Sequence, residues 1–127
     1  MSYQAERVYA YQGDQPAVLV DRLWPRGISK ARLSGVSWVK DVTPSAALRT
    51  WFHQDRDARF DDFCRLYRKE LARPEIQTTL DQLRHLEQDQ GKLILLTAAK
   101  DMQHCHIPVL ISVLVDSNAR MPNGIAS

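Results

Sequence analysis

Cysteine is scarce in this chain. Cys64 and Cys105 are the only two in 127 residues, too few to staple a small secreted scaffold, so the expected compartment is reducing and the expected location cytoplasmic. Long apolar runs are missing as well. No stretch reaches the roughly 18 apolar residues that a spanning helix needs, and Met1 to Arg7 lacks the apolar core of a secretion signal. No membrane association is therefore expected. The chain has no glycine-rich phosphate loop and no dinucleotide fingerprint, so it specifies no cofactor. Long basic runs are absent too. The formal net charge is only +2, and Arg65, Arg68 and Lys69 alternate with acids as on a solvated helix face. With no nucleic-acid motif beside that charge, nucleic acid is the least favoured partner. No internal repeat is present.

What remains is an ordinary globular composition. Hydrophobic residues make up 44% and charged residues 25%, enough to bury one core without disulfide or metal. Charge is unevenly spread: residues 1–50 hold seven Lys/Arg against four Asp/Glu, and residues 51–90 seven against nine. A basic patch outside the central segment could attract an anion.

The hydrophobic pattern alternates between strand-like and helix-like stretches. Residues 6–11 read as a short strand, followed by a turn over Gln12 to Pro16. Ala17-Val18-Leu19-Val20 reads as a strand buried on both faces. It runs into an irregular loop, Asp21-Arg22-Leu23-Trp24-Pro25-Arg26-Gly27. Val36 to Lys40 alternates like a second core strand. Thr43 and Pro44 suit an N-cap and first position, opening a helix with Leu48, Trp51 and Phe52 inside. A helix over about 57–72 carries the stripe Phe60, Phe63, Cys64, Tyr67, Leu71. Pro74 starts a third, with Ile76, Leu80, Leu83 and Leu86 inside and Gly91 as its stop. Leu93 to Thr97 is the clearest buried strand, and 107–115 reads as a packed helix with Pro108 in its first turn. The expected fold is a single-domain α/β structure over 1–116, a mostly parallel sheet flanked by helices in three layers, Rossmann/flavodoxin-like, with 117–127 a mobile tail. The first strand could instead form an antiparallel hairpin with the second.

In such a sheet, ligands bind beyond the carboxyl ends of the strands. Three expected strands end in charge. The first leads to Asp21, Arg22, Arg26 and Lys30; the second to Lys40, Asp41 and a helix N-terminus; the third to Lys100, Asp101, His104, Cys105 and His106. Arginine offers a planar fork for carboxylate or phosphate, lysine a point charge, and a helix N-terminus free N–H groups. Arg22, Arg26, Lys30 and Lys100 are the candidate anion ligands. His104, His106, Asp21 and Asp101 are the candidate acid/base groups, and Trp24, Pro25 and Gly27 the candidate pocket wall. The alternative is that Asp21 with Arg22, and the Lys–Asp neighbours, form structural ion pairs. No metal is expected, because His53 and His85 stand alone and no second Cys/His cluster exists. A cysteine-phosphatase loop on Cys105 would need arginine six positions on, where Ile111 stands; Cys105 is expected to be a packing residue.

The run Leu19-Val20-Asp21-Arg22-Leu23-Trp24-Pro25-Arg26-Gly27, with Lys30 after it, resembles the signature of the YeaO-like proteins of the domain-of-unknown-function 488 family. Trp38 to Ser45, Leu48 to His53, Phe63 to Leu71 and Ala98 to Asp101 with His104 and His106 follow in the family's order. The resemblance covers about residues 6–116. It implies a compact cytosolic bacterial α/β domain and no particular reaction. This chain departs from the family pattern at Cys105, where Asn usually stands, and at Pro108, where an aliphatic residue is typical.

Three functions remain: a small-molecule enzyme using histidine acid/base chemistry on a phosphate or nucleotide-like substrate, a non-catalytic ligand-sensing or protein-interaction module, and, least favoured, a nucleic-acid binder. Oligomeric state is not legible in the chain.

Overall fold

Leu93 to Thr97 form the centre of the structure because they have no polar edge to turn toward water. The computed structural model describes residues 2–116, so the expected tail at 117–127 lies outside the described residues. Its elements are β1 (Tyr3–Arg7), β2 (Ala17–Leu19), β3 (Ser37–Trp38), α1 (Ala46–Gln54), α2 (Arg56–Leu71), α3 (Pro74–Gln90), β4 (Leu93–Thr97) and α4 (His106–Val115). Short 3-10 turns at Val8–Ala10, Ala31–Leu33 and Lys40–Val42 join them. The four strands form one sheet in the order β1-β4-β2-β3, every pair parallel. This is a single-domain α/β fold. β4 lies between β1 and β2, which excludes a hairpin between those two.

Side-chain alternation divides the core between the sheet's two faces. Val18, Val20, Leu93 and Leu95 meet all four α-helices, through Leu48, Phe52, Phe63, Tyr67, Leu80 and Leu110 among others. Ala17, Leu19, Ile94 and Leu96 face the other way, onto Val8, Tyr11 and Leu33. The third layer is thus built from 3-10 turns and loops, with the helices gathered on one face. All five residues of β4 are buried, each large apolar side chain contributing on the order of 1.5–3 kcal/mol. No helix among the described residues is long and apolar enough to cross a membrane.

Three local expectations are corrected. The first strand is Tyr3–Arg7, and the chain then turns at Val8–Ala10 so that Val8 and Tyr11 enter the core. Val36 to Lys40 is no core strand: only Ser37 and Trp38 pair, with β2 alone, at an exposed sheet edge. The N-cap of α1 is Ser45, not Thr43, because the Ser45 hydroxyl accepts the Leu48 amide at 3.2 Å. Pro74 and Gly91 bound α3 as their chemistry predicts, Gly91 at φ 81°. The C-terminal end of α4 is anchored by Arg84 of α3, whose Nε and Nη2 each donate at 2.9 Å, to the Leu114 and Val113 carbonyls.

Candidate functional site

The parallel sheet sends the loops after β2 and β4 out at one edge, where they meet the first turn of α4. Asp21 ties them together. Its carboxylate accepts the Thr97 hydroxyl at 2.6 Å and the Ala98 amide at 2.7 Å. His106, the first residue of α4, lies across the same junction: Nε2 is 2.6 Å from the Val20 carbonyl oxygen and 3.4 Å from Asp21 Oδ1. A carbonyl oxygen can only accept, so Nε2 carries a hydrogen and donates. Both side chains are mostly covered, His106 13% and Asp21 14% exposed. Burial works against a charge on either one. For Asp21, hydrogen bonds from His106, Thr97 and Ala98 outweigh burial and hold its carboxyl below the usual value. For His106, burial is overcome by Asp21 and then Cys105, which raise its pKa to about 9.

Beside this pair opens a cavity of about 350 Å³. The β2 loop supplies Arg22, Leu23, Trp24, Pro25 and Arg26 to its wall. Arg22 Nε donates to the Pro44 carbonyl at 2.8 Å, Trp24 Nε1 to the Ile28 carbonyl at 2.7 Å, and Trp38 Nε1 to the backbone carbonyl of Asp21 at 2.7 Å. The Trp24 and Trp38 rings meet edge-on, centroids 5.3 Å apart. Tyr9, also in the wall, donates its hydroxyl to the Arg26 carbonyl at 3.0 Å. These bonds hold a loop that has no regular secondary structure. Gly27 lies outside the wall but sits at φ 81°, a left-handed conformation that favours glycine.

The corner between α1 and α2 supplies a second part of the wall: Arg49, Phe52, His53 and Arg56. Arg56 lies 5.0 Å from the centre of the Phe52 ring, its Nη2 donating to the His104 carbonyl at 3.2 Å and its Nη1 3.4 Å from His53 Nδ1. Because guanidinium only donates, Nδ1 accepts. Burial, then the charges of Arg56 and Arg49, lower the pKa of His53 and favour its neutral form. Arg26 and Arg49 form no hydrogen bond or ion pair through their guanidinium groups among the described residues. Asp21 is the one carboxylate among the described lining residues.

Of the residues singled out from the sequence, Asp21, Arg22, Trp24, Pro25, Arg26 and His106 share this cavity. Lys30 and Lys100 are exposed and do not line this cavity. His104 and Asp101 pair with each other at 3.0 Å, both more than half exposed, beside a separate cavity of about 300 Å³ lined by Asp57 and Asp61 as well. The hydrogen bond from His104 leads the causes that lower the Asp101 pKa. Among the described residues none of the three neighbour ion pairs forms as a salt bridge: Arg22 turns to Pro44, Lys40 to the Trp38 ring with Asp41 to Thr79, and Asp101 to His104. The expected free N-terminus of α1 is also occupied. The Ser45 amide and hydroxyl donate to Glu70 at 2.8 and 2.6 Å, which places a carboxylate of the chain's own where an anion would sit. Cys105 is buried, its sulfur 3.7 Å from the Met102 carbonyl. Among the described residues, no group of three or more His, Cys, Asp or Glu could hold a metal ion.

Sequence reasoning missed Arg49, His53 and Arg56. The signal available was the i, i+4 spacing of Arg49 and His53, which sets them on the face of α1 away from Leu48. Arg56 carries no local signal, since only the turn between α1 and α2 brings it beside them.

A family model described as the inactive DUF488-N3 subclade matches residues 2–126. The uncharacterized protein YeaO of Escherichia coli K12 is 40% identical over 112 residues, covering 87% of this chain and 94% of the relative. An uncharacterized protein of Mycobacterium tuberculosis is 38% identical over 103 residues, 80% of this chain and 81% of the relative. No solved structure matches the chain.

Proposed function

The chain belongs to the DUF488 family, within its inactive N3 subclade, and from that premise we propose that it is a non-catalytic module binding a small phosphate-type anion in the cavity beside Asp21. One observation carries this reading: Arg22, Arg26, Arg49 and Arg56 line a single cavity whose only described carboxylate is already engaged by Thr97, Ala98 and His106. Guanidinium groups drawn to one cavity repel one another. Water screens the exposed Arg26 and Arg49, and Arg56 also lines the adjoining cavity with Asp57, Asp61 and Asp101, but an anion among the four relieves the repulsion that remains. Arginine suits that task, since each guanidinium presents a rigid fork of N–H donors. The cavity of about 350 Å³ is at the small end of ligand pockets.

Binding is favoured over acid/base catalysis by the state of the His106–Asp21 pair. A general base needs an unoccupied lone pair within reach of the substrate. With its pKa raised to about 9, His106 is protonated at neutral pH and holds no lone pair to act as a base. Its Nε2 hydrogen goes to Val20, and Asp21 already accepts from Thr97 and Ala98 and pairs with His106. The pair therefore serves to join β2, β4 and α4. The subclade's description as inactive agrees with this reading.

The test is a thermal-shift titration with inorganic phosphate at constant ionic strength, since a ligand selective for the folded state raises the melting temperature. The melting temperature is expected to rise with phosphate and to respond less in Arg49→Ala. A flat response defeats the binding reading. Turnover of a phosphate ester that disappears in His106→Gln defeats the non-catalytic part.

A further inference from the structure

The four guanidinium groups stand in two sets, on two separate parts of the chain. Arg22 and Arg26 belong to the loop after β2, and Arg49 and Arg56 to the corner between α1 and α2. In each set one arginine is tethered and the other is not. Arg22 is held by the Pro44 carbonyl and Arg56 by the His104 carbonyl, while Arg26 and Arg49 have no such bond among the described residues. Each tethered guanidinium has five N–H donors and uses only part of them on backbone. Each set can thus offer a positioned fork beside an adaptable one.

Resting on the anion-binding reading above, we infer that the ligand carries two phosphoryl groups, a diphosphate-type anion gripped at one end by Arg22 and Arg26 and at the other by Arg49 and Arg56. Charge matching favours this class over a single phosphate. Asp21 and His106 compensate each other and Arg56 is shared with Asp57, Asp61 and Asp101 of the adjoining cavity, so the lining arginines leave about three positive charges, more than a phosphate dianion offsets. A diphosphate carries nearly twice the charge and spreads it over two centres. His53 adds to the second end. Its Nδ1 accepts from Arg56, so the hydrogen of its neutral form sits on Nε2, which remains to donate. The apolar lining from Phe52, Phe63, Leu23 and Trp24 can take a small organic group attached to the diphosphate.

The experiment is isothermal calorimetry of the full chain with inorganic phosphate and with pyrophosphate, at matched ionic strength because screening weakens both. Pyrophosphate is expected to bind about tenfold or more tighter than phosphate, the effect of one further charge-assisted hydrogen-bonded contact. Arg26→Ala and Arg49→Ala, one from each set, are each expected to reduce that ratio to about one, because either leaves only one complete end. Equal affinity for the two ions in the unaltered protein, with binding still lost in the variants, overturns the diphosphate inference and leaves the anion reading standing. A preference for pyrophosphate that survives in both variants also overturns it. Failure of both ions to bind overturns the two together.

Discussion

His106 Nε2 stands 3.4 Å from Asp21 Oδ1, so the first residue of α4 and the first residue beyond Val20 share a proton-linked contact at the carboxyl edge of the sheet. The contact makes stability depend on pH. The His106 pKa is raised from 6.5 to about 9, so its contribution is fully present below pH 6.5 and is lost as pH rises through about 9. At most this is about 3 kcal/mol. Asp21, held low, gives the opposite limb: its contribution is lost as pH falls below the ordinary carboxylate range. His106→Gln keeps a donor for Val20 but cannot charge. The stability advantage of the unaltered protein over this variant is expected to shrink between pH 6.5 and 9 in denaturant titrations; a constant gap contradicts the assignment.

Glu70 is expected to matter for α1 more than its position near the end of α2 suggests. It accepts both the amide and the hydroxyl of Ser45. Glu70→Ala removes both bonds and is expected to cost about 1–3 kcal/mol, and Glu70→Gln less. Urea unfolding of the two variants measures the difference. Equal midpoints for Glu70→Ala and the unaltered protein would refute this role.

Leu95 is fully buried in the central strand, with β1 and β2 on either side. Leu95→Ala is expected to destabilise by about 2–5 kcal/mol, through lost transfer energy and the cavity left behind. A loss below about 1 kcal/mol in chemical denaturation would show that the core is not built around this strand.

The exposed lysines separate a pocket from a general basic surface. Lys30 and Lys100 do not line the cavity that holds the four arginines. Lys30→Ala and Lys100→Ala are expected to change phosphate affinity by less than about twofold, since exposed charges at a distance are screened. Pyrophosphate affinity is likewise expected to change little in the lysine variants but to fall by about tenfold in Arg26→Ala and in Arg49→Ala. Similar losses in all four variants would mean that the anion is attracted by net charge and held by no site.

Local chemistry was enough for much of the fold. The apolar runs at Ala17 to Val20 and Leu93 to Thr97, the proline and glycine bounding α3, and the helical stripes of α2 and α3 could each be read within a few residues, because burial periodicity and backbone restriction act locally. They fixed the element types and the α/β class, and the loop after β2 pointed to Arg22 and Arg26. The order β1-β4-β2-β3, with β4 inserted between strands distant from it in sequence, depends on long-range pairing. So does the side of the sheet on which helices gather. The same long-range packing made Val36 to Lys40 an edge, gave the N-terminus of α1 to Glu70, paired Asp21 with His106, and brought Arg49 and Arg56 to one cavity with Arg22 and Arg26. A side chain's partners are set by which surfaces close over it, and a charge in a sequence carries no record of those surfaces until the chain has packed.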